Sequence, residues 1–328
     1  MNGPELTVSI ISYNTRSLLR ACLSSVYEKA KGVGFEVIVV DNNSTDDTPE
    51  MLRRDFPQVQ LIENRENLGF AGANNQAIRK GKGKYVLFLN PDSIFSSGSL
   101  SQMIRFMDGH PEVGALGCKI LNADRTIQTS NAHFPNLFTE FLRAFQLKKI
   151  LPSARIRSKI GERYSHLLGS TLGEYLRVYW DSGRVRPVSW ATGACLLVKR
   201  KAVEEIGLMD EGFFMYYEDT DLCYRMHQKG WKVCYFPFFE VIHYVGESNG
   251  KFNPEVFVQR QKSMYHYFRK HQSEVAVLLL NLIVRSALAL RLMGLLVLCP
   301  FIKIIQGNQE ELRKKYRAYF RSIALRPF

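Results

Sequence analysis

The apolar positions of the first 120 residues switch repeatedly between short continuous runs and spacings of three and four. Short continuous runs predict buried strands, and the wider spacing predicts helices. The runs predict strands at 6–12, 35–41, 59–63, 84–89 and 113–121. This alternation is typical of an α/β fold with a mostly parallel, Rossmann-like sheet flanked by helices.

Four helices are predicted between these strands. The first has an apolar face that comprises Leu18, Leu19, Cys22, Leu23 and Val26. The second carries Pro49 in its first turn, with Asp46 or Asp47 as its cap. The others are predicted at 72–80 and at about 99–108.

The alternation loosens from Pro135 onward. Residues 140–186 form a basic insertion that we predict to be helical, and strand-like apolar positions return at 188–198. A helix is predicted at 219–229 and a strand at 232–236.

Polar side chains follow three of the predicted parallel strands directly. They form the clusters Ser12-Tyr13-Asn14, Asp41-Asn42-Asn43 and Asn90-Pro91-Asp92. Ligands of open parallel sheets bind at the carboxyl ends of the strands. The sequence therefore predicts a ligand site at this edge of the sheet.

Two of these acids allow two interpretations each. Asp41 can accept hydrogen bonds from a ribose or a base N–H, or it can form an Asx turn with the residues that follow. Asp92, held by a rigid proline, suits Mg²⁺ or Mn²⁺ on diphosphate oxygens, or it can cap the next helix.

The segment from Asn67 to Asn74 places two glycines and two amides before a predicted helix. Gly69 could allow a phosphate to approach the helix N-terminus, or the segment could be an ordinary tight turn.

Glu218 and Asp219 open an amphipathic helix after a run of aromatic residues. An acid in such surroundings can serve as a general base, although helix N-termini also favour acids for their dipole. The nearby acids Asp210, Glu211 and Asp221 exceed what capping needs, which favours a functional role. His243 could complete a metal shell or contact a diphosphate, whereas a lone histidine is more often structural.

The net charge of +13 is spread unevenly over the 328 residues. Residues 1–139 are neutral, whereas 140–202 carry +9 and 271–328 carry +6. A protein that coats nucleic acid is therefore not expected. The six scattered cysteines form no C-x-x-C pair, and no signal-like segment opens the chain, so a cytoplasmic protein is expected.

Together these motifs resemble the family 2 glycosyltransferases of GT-A fold, especially their bacterial rhamnosyltransferase-like branch. The resemblance covers roughly residues 6 to 270 and rests on motifs in unbroken order: VSIISYN, VVDNNSTDDT, ENLGFAGANNQAI, FLNPDS, WATGACLLVKRKAVEEIGLMDEGFFMYYEDTDLCYRMHQKGWKVCYFP and VIHYVGES.

The resemblance implies inverting transfer of a sugar from a nucleoside diphosphate (dTDP or UDP) to a hydroxyl. L-Rhamnose from dTDP-rhamnose is the expected donor chemistry, and a glycan or polyprenyl-diphosphate-linked acceptor of bacterial cell-surface polysaccharide synthesis is the expected acceptor.

The resemblance also implies roles for individual residues. The nucleotide-binding residues would be Ser12, Tyr13, Asn14, Asp41, Asn67, Gly69 and Asn74. Asp92 and His243 would bind Mg²⁺ or Mn²⁺, and Asp219, with Glu218 beside it, would act as the base. The sugar and acceptor pocket would comprise Asn90, Trp190, Thr192, Gly193 and Ala194. Asn90 stands where the broader family has a first aspartate, which leaves one carboxylate for the metal.

We expect two domains, a glycosyltransferase domain at 1–271 and a membrane-associating segment at 272–328. The first would divide into a nucleotide-sugar half (1–120) and an acceptor half (121–271). Residues 275–302 include 22 apolar residues, but two arginines would cost about 2.5–3.5 kcal/mol each in a bilayer centre. Helices lying in the membrane interface are favoured over a buried helix pair and over a spanning helix. The protein is thus expected on the inner face of the cell membrane.

Two other functions fit the sequence less well. A sugar-nucleotide pyrophosphorylase would need a glycine-rich, basic loop after the first strand, where Ser12-Tyr13-Asn14-Thr15 stands. A non-enzymatic, basic membrane-binding protein would leave the acids at the sheet edge unexplained.

Overall fold

The computed structural model of the chain describes residues 3–147, 183–244, 252–305 and 309–325, with the backbone alone for 296–305 and 309. The described residues divide into two compact units. The sheet unit comprises the described parts of Met1–Phe134, Ser153–Phe214 and Glu218–Gly246. The helical unit comprises the described parts of Pro135–Pro152, Met215–Tyr217 and Glu247–Phe328.

The strands all lie in the sheet unit. In chain order they are β1 Leu6–Ser12, β2 Phe35–Asp41, β3 Gln60–Glu63, β4 Tyr85–Leu89, β5 Ser93–Ser97, β6 Val113–Leu121, β7 Ile127–Gln128, β8 Asn131–Ala132, β9 Arg186–Pro187, β10 Trp190–Ala191, β11 Cys195–Lys199 and β12 Lys232–His243.

Helices occur in both units. Those of the sheet unit are α1 Arg16–Lys29, α2 Thr48–Asp55, α3 Gly69–Lys80, α4 Leu100–Gly109, α6 Arg200–Glu205 and α7 Glu218–Gln228. Those of the helical unit are α5 Leu137–Ala144, α8 Pro254–His271, α9 Glu274–Ile305 and α10 Gln309–Ile323.

The main sheet has the strand order β3-β2-β1-β4-β11-β6-β12-β5. Strands β3, β2, β1 and β4 run parallel, and β11 is antiparallel to both of its neighbours. Strand β12 runs parallel to β6 and antiparallel to β5. The predicted mostly parallel sheet with flanking helices is thus confirmed.

The core of the sheet unit lies on both faces of its central strands. Val8 and Ile10 of β1 and Leu87 and Phe88 of β4 are fully buried, as the continuous apolar runs predict for strands with both faces covered. Helix α1 packs through the face expected from its spacing, with Leu19, Cys22, Leu23 and Val26 buried.

Several local predictions were wrong. Strand β5 was missed, and it places Asp92 in a turn between two strands, whereas the N-cap of α4 is Ser99. Helix α3 begins at Gly69, three residues before the predicted start. Asp47 occupies the N-cap position of α2, but with a φ of +56° its side chain forms no cap hydrogen bond.

The C-terminal half also differs in its bounds. Strand β12 continues to His243, well past its predicted end at residue 236. Of the predicted insertion at 140–186, residues 148–182 lie outside the described residues. Helix α8, which precedes the expected domain border at 271, packs within the helical unit.

Candidate active site

The predicted strand-end clusters lie at one edge of the main sheet. Asp41 ends β2 directly opposite Ser12 of β1, and β4 lies on the other side of β1. Strands are spaced about 4.8 Å apart, so the ends of β2 and β4 are about 10 Å from each other. Because β11 is antiparallel to β4, the residues before Cys195 reach the same edge.

Asp41 uses only one of its carboxylate oxygens within the protein. Oδ2 accepts the backbone N–H of Ser44 at 2.9 Å, which is the Asx turn foreseen as one interpretation. Oδ1 is buried and has no hydrogen-bond partner among the described residues. A buried acceptor without a donor is costly, so this atom is suited to an N–H or O–H group of a ligand.

The loop after β1 is tied to the loop after β2. Asn14, in a left-handed conformation with φ +54°, accepts the N–H of Thr45 through Oδ1 at 2.7 Å. Its own N–H donates to the Ser44 hydroxyl at 2.9 Å. Ser12 is buried against the Thr15 hydroxyl, whereas the ring of Tyr13 is about half exposed beside them.

The segment from Asn67 to Asn74 makes its polar contacts inside the protein. Asn67 accepts the N–H of Gly69 at 2.9 Å, and the Gly69 carbonyl accepts from Asn42. Gly69 has φ +71°, and a Cβ added there would lie 2.2 Å from the carbonyl oxygen of Phe214. Asn74 is fully buried between the Ser9 hydroxyl and the Phe70 carbonyl. The close approach of the Phe214 backbone explains why a glycine stands at position 69. The buried hydrogen bonds of Asn74 give that residue a structural role.

Asp92 and His243 come together at the end of β4. Asp92 lies in the turn after β4, and His243 ends β12 opposite Ser93 of β5. The Nε2 atom of His243 is 3.1 Å from Asp92 Oδ1 and 3.2 Å from Asn90 Nδ2. Asp92 Oδ1 is nevertheless buried with no hydrogen-bond partner among the described residues.

A hydrogen-bonded chain explains this geometry by fixing the histidine tautomer. Gln128 donates from Nε2 to Asn122 Oδ1 at 2.9 Å, so its Oε1 faces Nδ1 of His243 at 2.8 Å. Oε1 can only accept, and therefore the proton of the neutral ring lies on Nδ1. The Nε2 lone pair then faces Asp92 Oδ1 and can accept from the Asn90 side-chain amide at 3.2 Å, and two acceptors side by side suit a cation between them.

No group of three histidine, cysteine or acidic side chains with metal-binding geometry occurs within the described residues. In that part of the chain, Asp92 and His243 are two ligands of the expected kind that lie together. Mg²⁺ in phosphate-transferring sites is commonly held by one or two carboxylates together with substrate oxygens and water. The orphaned Asp92 oxygen and the oriented histidine fit a Mg²⁺ or Mn²⁺ ion of that kind.

Asp219 lies at the first turn of α7 and is half-buried. Its Oδ2 accepts the N–H of Gly193 at 2.9 Å, and its Oδ1 accepts the N–H of Thr220 at 2.7 Å. Burial raises the pKa of the Asp219 carboxyl above its usual range, and these backbone donors oppose part of the shift. A half-buried carboxylate with a raised pKa can accept a proton from a bound hydroxyl.

Glu218 is buried more deeply than its neighbour, at 7% exposure. Burial and the negative charge of Asp219 raise its pKa well above the usual range. Its Oε2 has no hydrogen-bond partner within the described part of the chain. Of the two acids, Asp219 is the more accessible to a substrate.

The remaining acids near this pair have structural partners. Asp221 is fully buried and pairs with Arg225 at 2.7 Å. Asp210 accepts the N–H of Gly212, and Glu211 accepts from the side chain of Asn75. These three acids therefore have structural partners, which leaves Glu218 and Asp219 as the candidate functional pair.

The segment before β11 connects the acids to the turn after β4. The Ala194 carbonyl accepts the N–H of Asn90 at 3.0 Å, one residue from the Gly193 bond to Asp219. The Thr192 N–H donates to the Ser130 carbonyl, and the Trp190 indole donates to that of His133 at 3.0 Å. The predicted sugar and acceptor residues thus lie between the two predicted chemical groups.

Gln128 is the residue of this site that the sequence did not single out. It lies in the two-residue strand β7, far along the chain from the histidine that it contacts. An isolated glutamine in a short polar segment carries no local pattern that distinguishes it.

A mostly parallel sheet with carboxylates after two of its strands and an acidic pair at a helix N-terminus is the arrangement that the resemblance to GT-A glycosyltransferases implies. Comparison with known proteins agrees with that class. Residues 7–165 match the family Glycosyl transferase family 2. This match agrees with the resemblance of the motifs, and the chain is a glycosyltransferase.

Curated relatives resemble this chain over most of its length. An N-acetylglucosaminyl-diphospho-decaprenol L-rhamnosyltransferase of Mycobacterium tuberculosis is 29% identical over 297 residues, which cover 87% of this chain and 91% of the relative. The rhamnosyltransferase WbbL of Escherichia coli (strain K12) is 26% identical, over 62% of this chain and 70% of that protein. The rhamnosyltransferase-like resemblance is thereby confirmed.

Solved structures share the fold at low identity. The mannosyltransferase PcManGT from Pyrobaculum calidifontis, in complex with GDP-Man and Mn²⁺, aligns with a TM-score of 0.55 and 18% identity, covering 99% of this chain and 87% of that one. GalNAc-T7 with UDP, GalNAc and Mn²⁺ aligns with a TM-score of 0.54 and 14% identity, over 80% of this chain and 48% of that one.

Proposed function

We propose that this glycosyltransferase moves a sugar from a nucleoside diphosphate to an acceptor hydroxyl with inversion at the anomeric carbon, assisted by Mg²⁺ or Mn²⁺. The observation that carries the proposal is the pair of Asp92 Oδ1 and His243 Nε2, two acceptors 3.1 Å apart at the carboxyl end of β4. Solved structures of the same fold bind nucleotides or nucleotide sugars together with Mn²⁺, which supports this choice of ion.

The nucleoside would bind at the ends of β1 and β2. The buried Asp41 Oδ1 has the position and chemistry to accept an N–H of the base or a ribose hydroxyl. Ser12 and Asn14 would shape this pocket, and the exposed Tyr13 ring would pack on the nucleotide. Asn67, Gly69 and Asn74 would contribute by holding the start of α3 in place.

Asp92 and His243 would hold the metal ion through Oδ1 and Nε2. When bound, the ion supplies positive charge that stabilises the leaving nucleoside diphosphate. The donor's diphosphate oxygens would complete its shell, because the chain offers only these two ligands among its described residues. Asn90 lies beside Nε2 and would contact the diphosphate or the sugar.

Asp219 would act as the base, with Glu218 buried behind it. The acceptor oxygen attacks the anomeric carbon from the side opposite the diphosphate, and its proton passes to a carboxylate oxygen of Asp219. One carbon–oxygen bond forms as the bond to the diphosphate breaks, so no covalent enzyme intermediate is required. Trp190, Thr192, Gly193 and Ala194 would line the sugar and acceptor pocket beside that carboxylate.

The proposed donor is dTDP-rhamnose, with a UDP-linked sugar as the alternative. The acceptor would be a glycan or a polyprenyl-diphosphate-linked sugar of bacterial cell-surface polysaccharide synthesis. The names of the relatives from M. tuberculosis and E. coli support this choice. A lipid-linked acceptor stays in the bilayer, and we accordingly propose a peripheral location on the inner face of the cell membrane, with residues 272–328 as the attached segment.

The test is release of free nucleoside diphosphate from a panel of nucleotide sugars, with Mg²⁺ or Mn²⁺ and with EDTA. We expect release from dTDP-rhamnose with a lipid-linked acceptor, loss of release with EDTA, and loss in Asp92→Asn. Glu28→Gln, which changes an exposed acid of α1, is the matched control and should leave release unchanged. Full activity of Asp92→Asn in EDTA would contradict the metal-assisted mechanism.

A further inference from the structure

Helix α9 in the helical unit has two apolar faces. One is buried and comprises Val277, Leu280, Val284, Ala287 and Leu288, each at most 4% exposed. The other is exposed and comprises Val275, Leu278, Leu279, Leu282, Leu290 and Met293, each between 45% and 64% exposed. At 3.6 residues per turn the two sets point to opposite sides of the helix.

The buried face of α9 packs within the helical unit. Ala318 and Tyr319 of α10 are buried on that side, and the guanidinium of Arg291 lies 5.8 Å from the centre of the Tyr319 ring. Arg285 donates to the Leu325 carbonyl at 3.3 Å. The second half of α10 therefore runs beside the middle of α9.

The exposed face of α9 is long and mostly apolar. From Val275 to Met293 it extends about 27 Å, and the other exposed residues of this stretch are Ser286, Ala289 and Arg285, the last at the edge of the face. Within the described residues, Glu274–Leu295 is the one stretch of helix long and apolar enough to cross a membrane, with a mean hydropathy of 2.0. Soluble monomers rarely expose an apolar row of this extent without a partner.

Helix α10 exposes aromatic and cationic side chains of the kind found at membrane interfaces. Tyr316 and Phe320 are 44% and 62% exposed, and Arg313 and Arg317 are exposed around them. Lys314 and Arg317 also line a groove of about 480 Å³ at the N-terminus of α8. Aromatic rings with flanking cations are typical of protein surfaces that lie at the level of lipid headgroups.

We propose that the exposed face of α9 lies in the surface of an anionic bilayer, with the helix parallel to the membrane plane. This inference rests on the proposed membrane location and specifies its geometry. A spanning α9 would carry Arg285, Arg291 and the adjacent part of α10 with Arg317 and Arg321 into the hydrocarbon centre, where arginine is strongly disfavoured. A second copy of this chain is disfavoured as occupant, because residues 271–328 carry +6 and two such surfaces repel each other.

Vesicle flotation of the full chain tests the surface. We expect binding to phosphatidylcholine vesicles that contain phosphatidylglycerol, weaker binding to phosphatidylcholine alone, and weakening by salt. Leu278→Asn with Leu282→Asn should reduce binding by roughly tenfold or more. Ile127→Asn, an exposed apolar residue of the sheet unit, is the matched control and should bind as the native chain does. Equal binding by the double variant would overturn the proposal.

Depth measurements distinguish a helix on the membrane from one across it. One cysteine introduced in turn at positions 275, 282 and 293, in a Cys299→Ser background whose five remaining cysteines are buried, would carry a spin label whose collisions with membrane-soluble and water-soluble quenchers report depth. We expect the same shallow depth at all three positions. A central maximum at 282 with 275 and 293 near opposite surfaces would overturn the parallel orientation.

Two further results separate this proposal from the proposed function. Light scattering without vesicles should show a monomer, and a dimer abolished by the double variant would assign the face to a second copy and overturn the proposal. Nucleoside diphosphate release with a water-soluble acceptor measures the chemistry alone. Release without vesicle binding would refute the membrane-binding face of α9 and leave the proposed transferase function intact. Vesicle binding without release would refute the proposed function and leave the membrane-binding face intact.

Discussion

The backbone N–H of Gly193 donates a hydrogen bond of 2.9 Å to Oδ2 of Asp219. The next residue, Ala194, accepts the N–H of Asn90 through its carbonyl. One dipeptide before β11 therefore positions both the acid of α7 and the start of the turn that carries Asp92. Because of this link, a substitution that displaces Asp219 can also displace the turn that carries Asp92.

Asp219→Asn is expected to abolish sugar transfer while donor binding is kept. The amide fills the same space but cannot take the acceptor proton, and loss of a general base commonly costs about 10²–10⁴-fold in rate. The measurement is kcat for nucleoside diphosphate release, with the donor affinity taken from thermal shifts. Normal turnover by this variant would show that another group is the base.

The raised pKa of the Asp219 carboxyl predicts the acid limb of the rate profile. The base must be ionised, so kcat/KM should fall as the pH drops through a value above the usual aspartate pKa of about 3.9. The measurement is the pH dependence of kcat/KM at saturating metal. A rate that stays constant down to pH 4 would contradict the assignment.

Glu218→Gln is expected to stabilise the protein at neutral pH. The folded-state pKa of Glu218 is raised, so its contribution to stability is complete at pH values below the unfolded pKa of about 4.3 and is lost as the pH rises through the folded value. A glutamine does not ionise and avoids that loss. Each kcal/mol regained should raise Tm by about 2–4 °C.

Thermal unfolding of both proteins at several pH values measures this difference. We expect a higher Tm for Glu218→Gln at neutral pH and no difference near pH 4. An equal or lower Tm for the variant at neutral pH would mean that burial of Glu218 carries no net penalty.

Gln128→Leu is expected to weaken Mn²⁺ binding by about 10–100-fold, because Nδ1 of His243 loses the acceptor that fixes the tautomer. Gln128→Glu keeps that acceptor and should restore most of the affinity. The free Mn²⁺ signal in electron paramagnetic resonance, with nucleoside diphosphate present, reports binding independently of turnover. Unchanged affinity in Gln128→Leu would remove this residue from the site.

Gly69→Ala is expected to destabilise the protein by about 2–4 kcal/mol without any nucleotide present. The alanine would occupy a φ of +71° with its Cβ 2.2 Å from the Phe214 carbonyl oxygen. Gly72→Ala, in the same helix, meets Leu68 at an ordinary 3.4 Å and should be neutral or stabilising. Denaturant unfolding measures both variants, and equal stability would contradict the packing explanation for Gly69.

The edge of the sheet could be predicted because each apolar run ends abruptly in polar residues. Ser12, Asp41 and Asn90 follow continuous buried strands, and the parallel register brings the ends of those strands to one line. That inference needs only the period of the pattern and the general property that parallel strands share an edge.

The parts that escaped prediction depend on contacts between distant segments. Strand β5 reads Ser-Ile-Phe-Ser-Ser, too short and polar to stand out, and it forms by pairing with the end of β12. Strand β12 continues beyond Phe236 through a shift in register, which a local pattern that includes Pro237 does not favour. The sequence pattern indicated that Gly69 is special, but it did not predict that the backbone of Phe214 packs against it.

Strand β11 has a consequence for how the chain folds. It lies between β4 and β6 although β6 ends at Leu121 and β11 begins only at Cys195, and Leu196, Leu197 and Val198 are fully buried. A nascent chain that stops short of Cys195 leaves both neighbouring strands with open hydrogen-bonding edges, which are prone to aggregate. The sheet can therefore close only after β11 has been translated, long after the strands β4 and β6 between which it pairs.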